Sequence, residues 1–220
     1  MRRLLLLLLF LGAACLSAPA GLNIVQQIDG TGSSSQIVIR VDGRKMRSDI
    51  AAPLSVILDG ETGESIYLQH HKQTYSRVTK EQAAQMARRF TEAQAESGLG
   101  ALVSTGEKKM IGSYLVELYT WTIGAMKMRL WISRDFPNGE AVQAQLDRLQ
   151  QSGISAIGAK LMPPTGSLPG FRMRTEIELG GQKVAYTILS VKEEPVDLSC
   201  FTIPSGYLET PFALPTKTTE

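Results

Sequence analysis

Residues 171–191, FRMRTEIELGGQKVAYTILSV, contain the clearest strand pattern of the chain. From Phe171 to Leu179 the side chains alternate, which predicts a strand with one buried face and one face in water. Gly180-Gly181 then predicts a tight hairpin turn, because two-residue turns need positive φ angles that glycine adopts readily. On this pattern the water-facing residues are Arg172, Arg174, Glu176 and Glu178.

The chain before this hairpin repeats the same strand-and-turn pattern. Asp42-Gly43 separates two short runs, and a Gly-punctuated turn at 59–65 separates two more. Consecutive hairpins imply an antiparallel sheet, which we expect to contain ten or eleven strands. The other predicted strands are 22–28, 36–41, 44–50, 54–58, 65–69, 73–78, 113–121 and 126–132.

Two helices interrupt the strands. Thr79 and Gln82 fit a capping box at the start of a helix over 80–96, which carries only a thin apolar stripe. A second helix is predicted over 140–151, with apolar residues at i, i+4 and i+7. The pattern therefore predicts one mainly β (α+β) domain over 21–208, followed by a flexible tail over 209–220.

The first twenty residues have the layout of a secretory signal peptide. Two arginines precede an apolar run from Leu4 to Leu16, and Ala18-Pro19-Ala20 follows it. That run has 13 residues, against roughly 20 for a membrane-spanning helix. We expect export to a bacterial periplasm. The alternative is cleavage before Cys15, which would make the protein a lipid-anchored lipoprotein and give it its only membrane attachment.

Composition excludes some partners. Removal of Arg2 and Arg3 leaves 21 Lys and Arg against 21 Asp and Glu, so the mature chain is formally neutral. A neutral chain argues against nucleic acid as a partner, because binding to phosphates needs a basic surface. Of the two cysteines only Cys200 survives ordinary cleavage, so no intrachain disulfide is expected.

The sequence offers no clear catalytic set, and we expect no enzyme, no cofactor and no metal. His70 and His71 could bind a metal with Asp59 or Glu61 only if a turn brought them together; two polar residues at a hairpin tip are the simpler interpretation. Residues 33–35 are serines without a nucleophile elbow. Apolar neighbours around Cys200 favour a buried structural thiol over a nucleophile.

Methionine usage is the more suggestive feature. Methionine adapts to irregular apolar ligands, and a curved sheet with few covering helices must fill its concave side or leave a cavity there. Five side chains are predicted to contact an apolar ligand: Met86, Phe90, Met126, Met128 and Met173.

Four segments carry a family resemblance, namely DGRKMRSDI (42–50), SIYLQHHKQTYSRV (65–78), IGSYLVELYTW (111–121) and CFTIPSGY (200–207). Together they resemble an uncharacterised exported bacterial domain family that is similar to LolA and LolB, the outer-membrane lipoprotein carriers. The resemblance implies an unclosed β-barrel of about eleven strands, with helices covering a concave side that receives acyl chains in the carriers. Arg47 occupies a position where the family pattern has an arginine, and an arginine of the carriers' sheet helps to hold the helical lid shut. The chain departs from the carriers at Leu22–Ile28, which predicts a strand where they begin with a helix.

These observations favour a non-enzymatic envelope protein that binds a lipid or another apolar ligand in a half-barrel cavity, and the expected partner is a lipid or an acylated protein. In this hypothesis the helix over 80–96 is the lid, with Met86 and Phe90 facing the cavity. The alternative is an interaction or sensor module on the same scaffold, with an envelope protein as its partner and no stoichiometric lipid.

Overall fold

The structure is a computed structural model, which describes residues 21–30, 32–94, 100–153, 158–164 and 166–212. In the first helix the described side chains extend to Arg88. The strands are β1 (Gly21–Gly30), β2 (Ser33–Asp42), β3 (Lys45–Ile50), β4 (Leu54–Asp59), β5 (Ser65–Gln69), β6 (Thr74–Val78), β7 (Val103–Ile111), β8 (Tyr114–Ile123), β9 (Met126–Ser133), β10 (Phe171–Leu179), β11 (Gln182–Glu194) and β12 (Leu208–Glu209). The helices are α1 (Lys80–Gln94) and α2 (Gly139–Gln150), with short 3-10 turns at His70–Lys72 and Leu198–Phe201.

All twelve strands form one sheet in the order β12-β6-β5-β4-β3-β2-β1-β11-β10-β9-β8-β7. Every pairing is antiparallel except that of the two-residue β12 with β6. The sheet does not close on itself, and the predicted fold class, a mainly β unclosed barrel with helices, is confirmed. β1 lies at the centre and joins β2 to β11.

Local sequence signals explain the turn and cap geometry. Gly180 and Gly181 both have positive φ, +58° and +79°, and connect Leu179 to Gln182 as a two-residue hairpin. At the start of α1, the backbone N–H of Thr79 donates to Gln82 Oε1 at 2.9 Å. The N–H of Gln82 donates back to Thr79 Oγ1 at 3.3 Å, which completes the predicted capping box.

The sheet has two covered faces. Leu58 belongs to a buried cluster with the three apolar residues of α2, so its side of the sheet is the inner face; these three are Val142, Leu146 and Leu149. The neighbouring residue Ile57 points the other way, because successive side chains of a strand alternate. It packs with Leu68 and Phe201 on the outer face.

A C-terminal segment covers that outer face, and we call residues 196–212 the strap. Phe201, buried to 8% exposure, anchors it over Ile57 and Leu68. The strap then pairs with the sheet edge as β12, and the ring of Phe212 lies 5.1 Å from that of Tyr67. Residues 209–212, part of the predicted flexible tail, therefore contact the sheet through the β12 pairing and the ring of Phe212. Residues 213–220 lie outside the described residues.

The sequence did not predict β7. Its residues VSTGEKKMI are exposed along almost the whole strand and show no apolar alternation. A strand of this kind is visible only through its backbone pairing with β8.

Candidate functional site

The inner face contains an apolar cavity of about 420 Å³. Its floor is the sheet, and its roof is formed by α2 and the segment 158–162. Leu146 of α2 and Leu161 of the segment face across to the strands. Most of the apolar side chains come from the strands: Ile24, Ile37, Ile39, Met46, Ile50, Met126, Met128, Ile177 and Ile188.

The predicted ligand contacts fall in three places. Met126 and Met128 line the cavity. Met173 is buried in the core cluster below α2 and is not among the residues that line the cavity. Met86 lies on α1, half-buried, and the described lining residues do not include it. The side chain of Phe90 lies outside the described residues.

Arg172 lines the same cavity, which corrects its predicted place on the water-facing side of β10. The cause is a break in register: Arg172 pairs with Ile132 of β9, but Arg174 pairs with the adjacent Trp131. Met173 is then an extra residue, a β-bulge that shifts the alternation of the strand. As a result, Arg172 shares the cavity wall with Thr175.

Arg172 is half-buried, and two opposing influences act on its guanidinium. Burial lowers the pKa of the Arg172 guanidinium, whereas Asp147 of α2 raises it. The Arg172 backbone N–H donates to Gln143 Oε1 at 3.3 Å, and Gln143 Nε2 donates to Asp147 Oδ1 at 2.7 Å. Gln143 is therefore held by the backbone of one residue and the carboxylate of the other. In the part of the chain that the structure describes, no hydrogen bond or ion pair engages the Arg172 guanidinium.

The outer face carries a separate polar network beneath the strap. Ser55 Oγ donates to Asp49 Oδ1 at 2.5 Å and lies 2.7 Å from His70 Nε2. His70 Nδ1 lies 2.7 Å from the hydroxyl of Tyr207, which belongs to the strap. Arg47 Nε donates to the same Asp49 oxygen at 2.7 Å, and Arg47 Nη1 donates to the carbonyl of strap residue 200 at 2.8 Å. Arg40 forms a further ion pair with Asp49.

This network holds the strap. Arg47 bonds to the strap on the outer face and not to a helix, unlike the lid-holding arginine of the carriers. It also joins three of the four segments that carried the family resemblance, through Arg47, His70 and Tyr207. Sequence reasoning missed it, because His70 and Tyr207 are 137 residues apart and no local pattern connects them.

Ser55 Oγ and His70 Nε2 are as close as the nucleophile and base of a catalytic triad. The groups around them, however, are not arranged as in a triad. The carboxylate of Asp49 binds the serine and not the histidine, whose other nitrogen meets a tyrosine. Ser55 is only 1% exposed. Among the described residues no group of three or more His, Cys, Asp and Glu is placed to hold a metal ion.

Further along the outer face, a groove of about 560 Å³ crosses β8 to β11 and β1. Four of its charged residues are paired with each other: Arg174 with Glu176 and Asp29, and Arg129 with Glu176. Trp131 Nε1 donates to Glu176 Oε1 at 3.1 Å. Most of the charge in this groove is therefore already neutralised, and Lys127 is the lining cation without an ion pair among the described residues.

Cys200 is a free thiol in the structure. Burial raises the pKa of the Cys200 thiol, and Arg40 and Arg47 oppose that shift. Such a thiol is a weak nucleophile.

None of the helices in the described ranges has the length and apolar character needed to span a bilayer.

The solved structures to which the chain aligns are distant in sequence, and their TM-scores are below 0.5. The chain aligns to PNGF-II with 14% identity and a TM-score of 0.43, over 87% of this chain and 31% of that chain. It aligns to the lipoprotein LppX of Mycobacterium tuberculosis with 12% identity and a TM-score of 0.42, over 82% and 90%. LprF of Mycobacterium bovis gives 11% identity and a TM-score of 0.37, over 84% and 89%. The chain thus spans about a third of the length of PNGF-II.

Among curated protein sequences, none matches the chain significantly. The pattern of one domain family does match, over residues 24–207. The predicted membership of an uncharacterised family is thereby confirmed, and the chain belongs to DUF4412, a family defined as a domain of unknown function.

Proposed function

We propose that this protein is a non-enzymatic component of the bacterial cell envelope that binds a lipid or another apolar ligand in its inner cavity. The observation that carries the proposal is the cavity of about 420 Å³ between α2 and the inner face. Its size lies in the range of roughly 300–1,000 Å³ typical of small-molecule sites. The signal-like first twenty residues support the envelope location.

The chemistry of the walls supports an apolar ligand. Met46, Met126 and Met128 line the cavity together with isoleucines, and flexible thioether side chains adapt to irregular acyl chains. Each methylene transferred from water to such walls contributes about 0.8 kcal/mol, before the costs of association are subtracted. In this proposal Met126 and Met128 contact the ligand directly.

The same arrangement favours binding over catalysis. The Ser55–His70 pair lies beneath the strap on the outer face, with its hydrogen bonds committed to structural partners. The cavity itself is lined mainly by apolar and amide side chains.

The test measures the affinity of the protein for a dansyl-labelled acyl chain, whose fluorescence reports binding. The variant Ala159→Phe places a ring at the cavity wall, and we expect at least a tenfold loss of affinity, about 1.4 kcal/mol. Ala144→Phe is the matched control, because Ala144 is exposed on α2 and is not among the lining residues. We expect it to bind like the unmodified protein.

Extraction of protein purified without detergent, followed by mass spectrometry, checks whether a lipid is bound in stoichiometric amount. No probe binding and no extracted lipid would overturn the proposal. That outcome would favour the interaction or sensor module. Crosslinking in the periplasm would then identify its protein partner. Equal loss of binding in both variants would show that the probe binds elsewhere.

A further inference from the structure

We infer that the ligand of the inner cavity is an anionic amphiphile, whose apolar chain lies among the methionines and isoleucines and whose carboxylate or phosphate head pairs with Arg172. The inference rests on the proposed function and names the ligand class of the same site.

The first argument is the position of the charge. Arg172 lines the cavity, yet no ion pair or hydrogen bond holds its guanidinium among the described residues. Arg172 is half-buried, and a cation partly removed from water is normally paired in proteins, because an unpaired charge there is unfavourable. An unpaired guanidinium beside an apolar cavity is therefore suited to an anion that arrives with a ligand.

The second argument is that neither neighbouring polar side chain, Gln143 or Asp147, forms a hydrogen bond or ion pair with the Arg172 guanidinium. Gln143 already accepts from the Arg172 backbone and donates to Asp147. Asp147 acts on Arg172 electrostatically, but the two side chains form no salt bridge within 4.0 Å. These contacts position α2 against β10 and leave the guanidinium available.

The third argument is the contrast with arginines on the other face of the same strands. Arg174, two residues along β10, is paired with Glu176 and Asp29. Arg129 of β9 is paired with Glu107 and Glu176. The bulge at Met173 separates these arginines, since it moves Arg172 from the paired outer face to the apolar inner one.

The experiment measures displacement of a neutral fluorescent probe by ligands of equal chain length. Laurate carries a carboxylate head, dodecyl phosphate carries a phosphate, and dodecanol carries no charge. We expect both anions to bind at least about tenfold more tightly than dodecanol, since a charge-assisted hydrogen bond to the guanidinium is available to the anions alone. Acetate, which is the head alone, should not displace the probe.

The variant Arg172→Gln should bind dodecanol and laurate with similar affinity. Arg129→Gln is the control, because Arg129 is about half exposed on the outer face and should leave the preference for anions intact. Thermal unfolding of each variant checks that the fold persists, and Arg172→Lys, which keeps the charge, should retain part of the preference.

Each other outcome is decisive. Equal binding of anions and dodecanol by the unmodified protein would overturn the anionic head group but leave the proposed function standing. A preference for anions that persists in Arg172→Gln, or one that is lost in Arg129→Gln, would overturn the role of Arg172. Displacement by acetate alone would show a small-anion site in place of an amphiphile site. Failure of every acyl ligand and of the probe to bind would overturn the proposed function itself.

Discussion

At the scale of single residues, Asp49 is the centre of the outer-face network. Burial opposes its ionisation, but hydrogen bonds from Ser55, Arg47 and Arg40 outweigh burial and hold the pKa of Asp49 below its usual range. The charged form is therefore favoured in the folded protein. This carboxylate stabilises the fold at neutral pH, and the stabilisation is lost as the pH falls through the folded pKa.

The variant Asp49→Asn tests this assignment. At pH 7 we expect a loss of about 1–2 kcal/mol in the free energy of unfolding, below the upper range for buried partners because the side chain is partly exposed. Below about pH 3.9 the difference from the unmodified protein should shrink, since Asp49 is then protonated in the unfolded chain and becomes so in the folded one. Urea unfolding across this pH range measures both. Asp135→Asn, an exposed carboxylate, should change little, and a pH-independent loss in Asp49→Asn would contradict the assignment.

The candidate site could be predicted only in part from single residues. The apolar character of Met126 and Met128 and their shared strand face follow from alternation, so their presence in one cavity was foreseeable. Arg172 could not be placed, because a β-bulge has no distinct signature in FRMRTEIEL and strict alternation assigns the residue to water. The strap contacts join residues far apart in sequence and depend on topology.

At the scale of elements, the strap depends on one aromatic anchor. Phe201 is 8% exposed and packs on the outer face with Ile57 and Leu68. We expect Phe201→Ala to lower the free energy of unfolding by about 3 kcal/mol through loss of this buried ring. Leu198 lies in the same 3-10 turn and is 63% exposed. We expect Leu198→Ala to change the free energy of unfolding by no more than about 0.5 kcal/mol. Equal effects in the two variants, measured by urea unfolding, would contradict the anchoring role.

Elements with a local chemical signal were predictable. The two-glycine hairpin and the Thr79–Gln82 capping box form as the sequence indicates, because their geometry is set within four residues. β7 and β12 were not predictable, since each is an edge strand whose existence rests on pairing with a neighbour. The count of twelve strands, against the ten or eleven expected, reflects that difference.

At the scale of the whole molecule, an unclosed barrel must protect its edges. β7 is one edge, and it carries Glu107 and Lys108 together with a break in register before Lys108. Charges and bulges on edge strands oppose pairing with a second molecule. We expect the double variant Glu107→Val/Lys108→Val to self-associate in a concentration-dependent way, as light scattering coupled to size-exclusion chromatography would show. Lys183→Val, on the interior strand β11, should leave the molecular mass unchanged.

The central place of β1 has a consequence for when the molecule can fold. Gly21 pairs with Glu194, and β1 continues to pair with β11 down to Asp29 and Ala185, with one shift of register between Val25 and Gln26. The two halves of the sheet therefore join through partners separated by most of the chain. Closing so long a loop is slow and costs entropy that local hairpins do not. A chain still being synthesised, or threaded through a pore, can form hairpins on either side of this seam, but it cannot complete the seam until residue 194 has emerged.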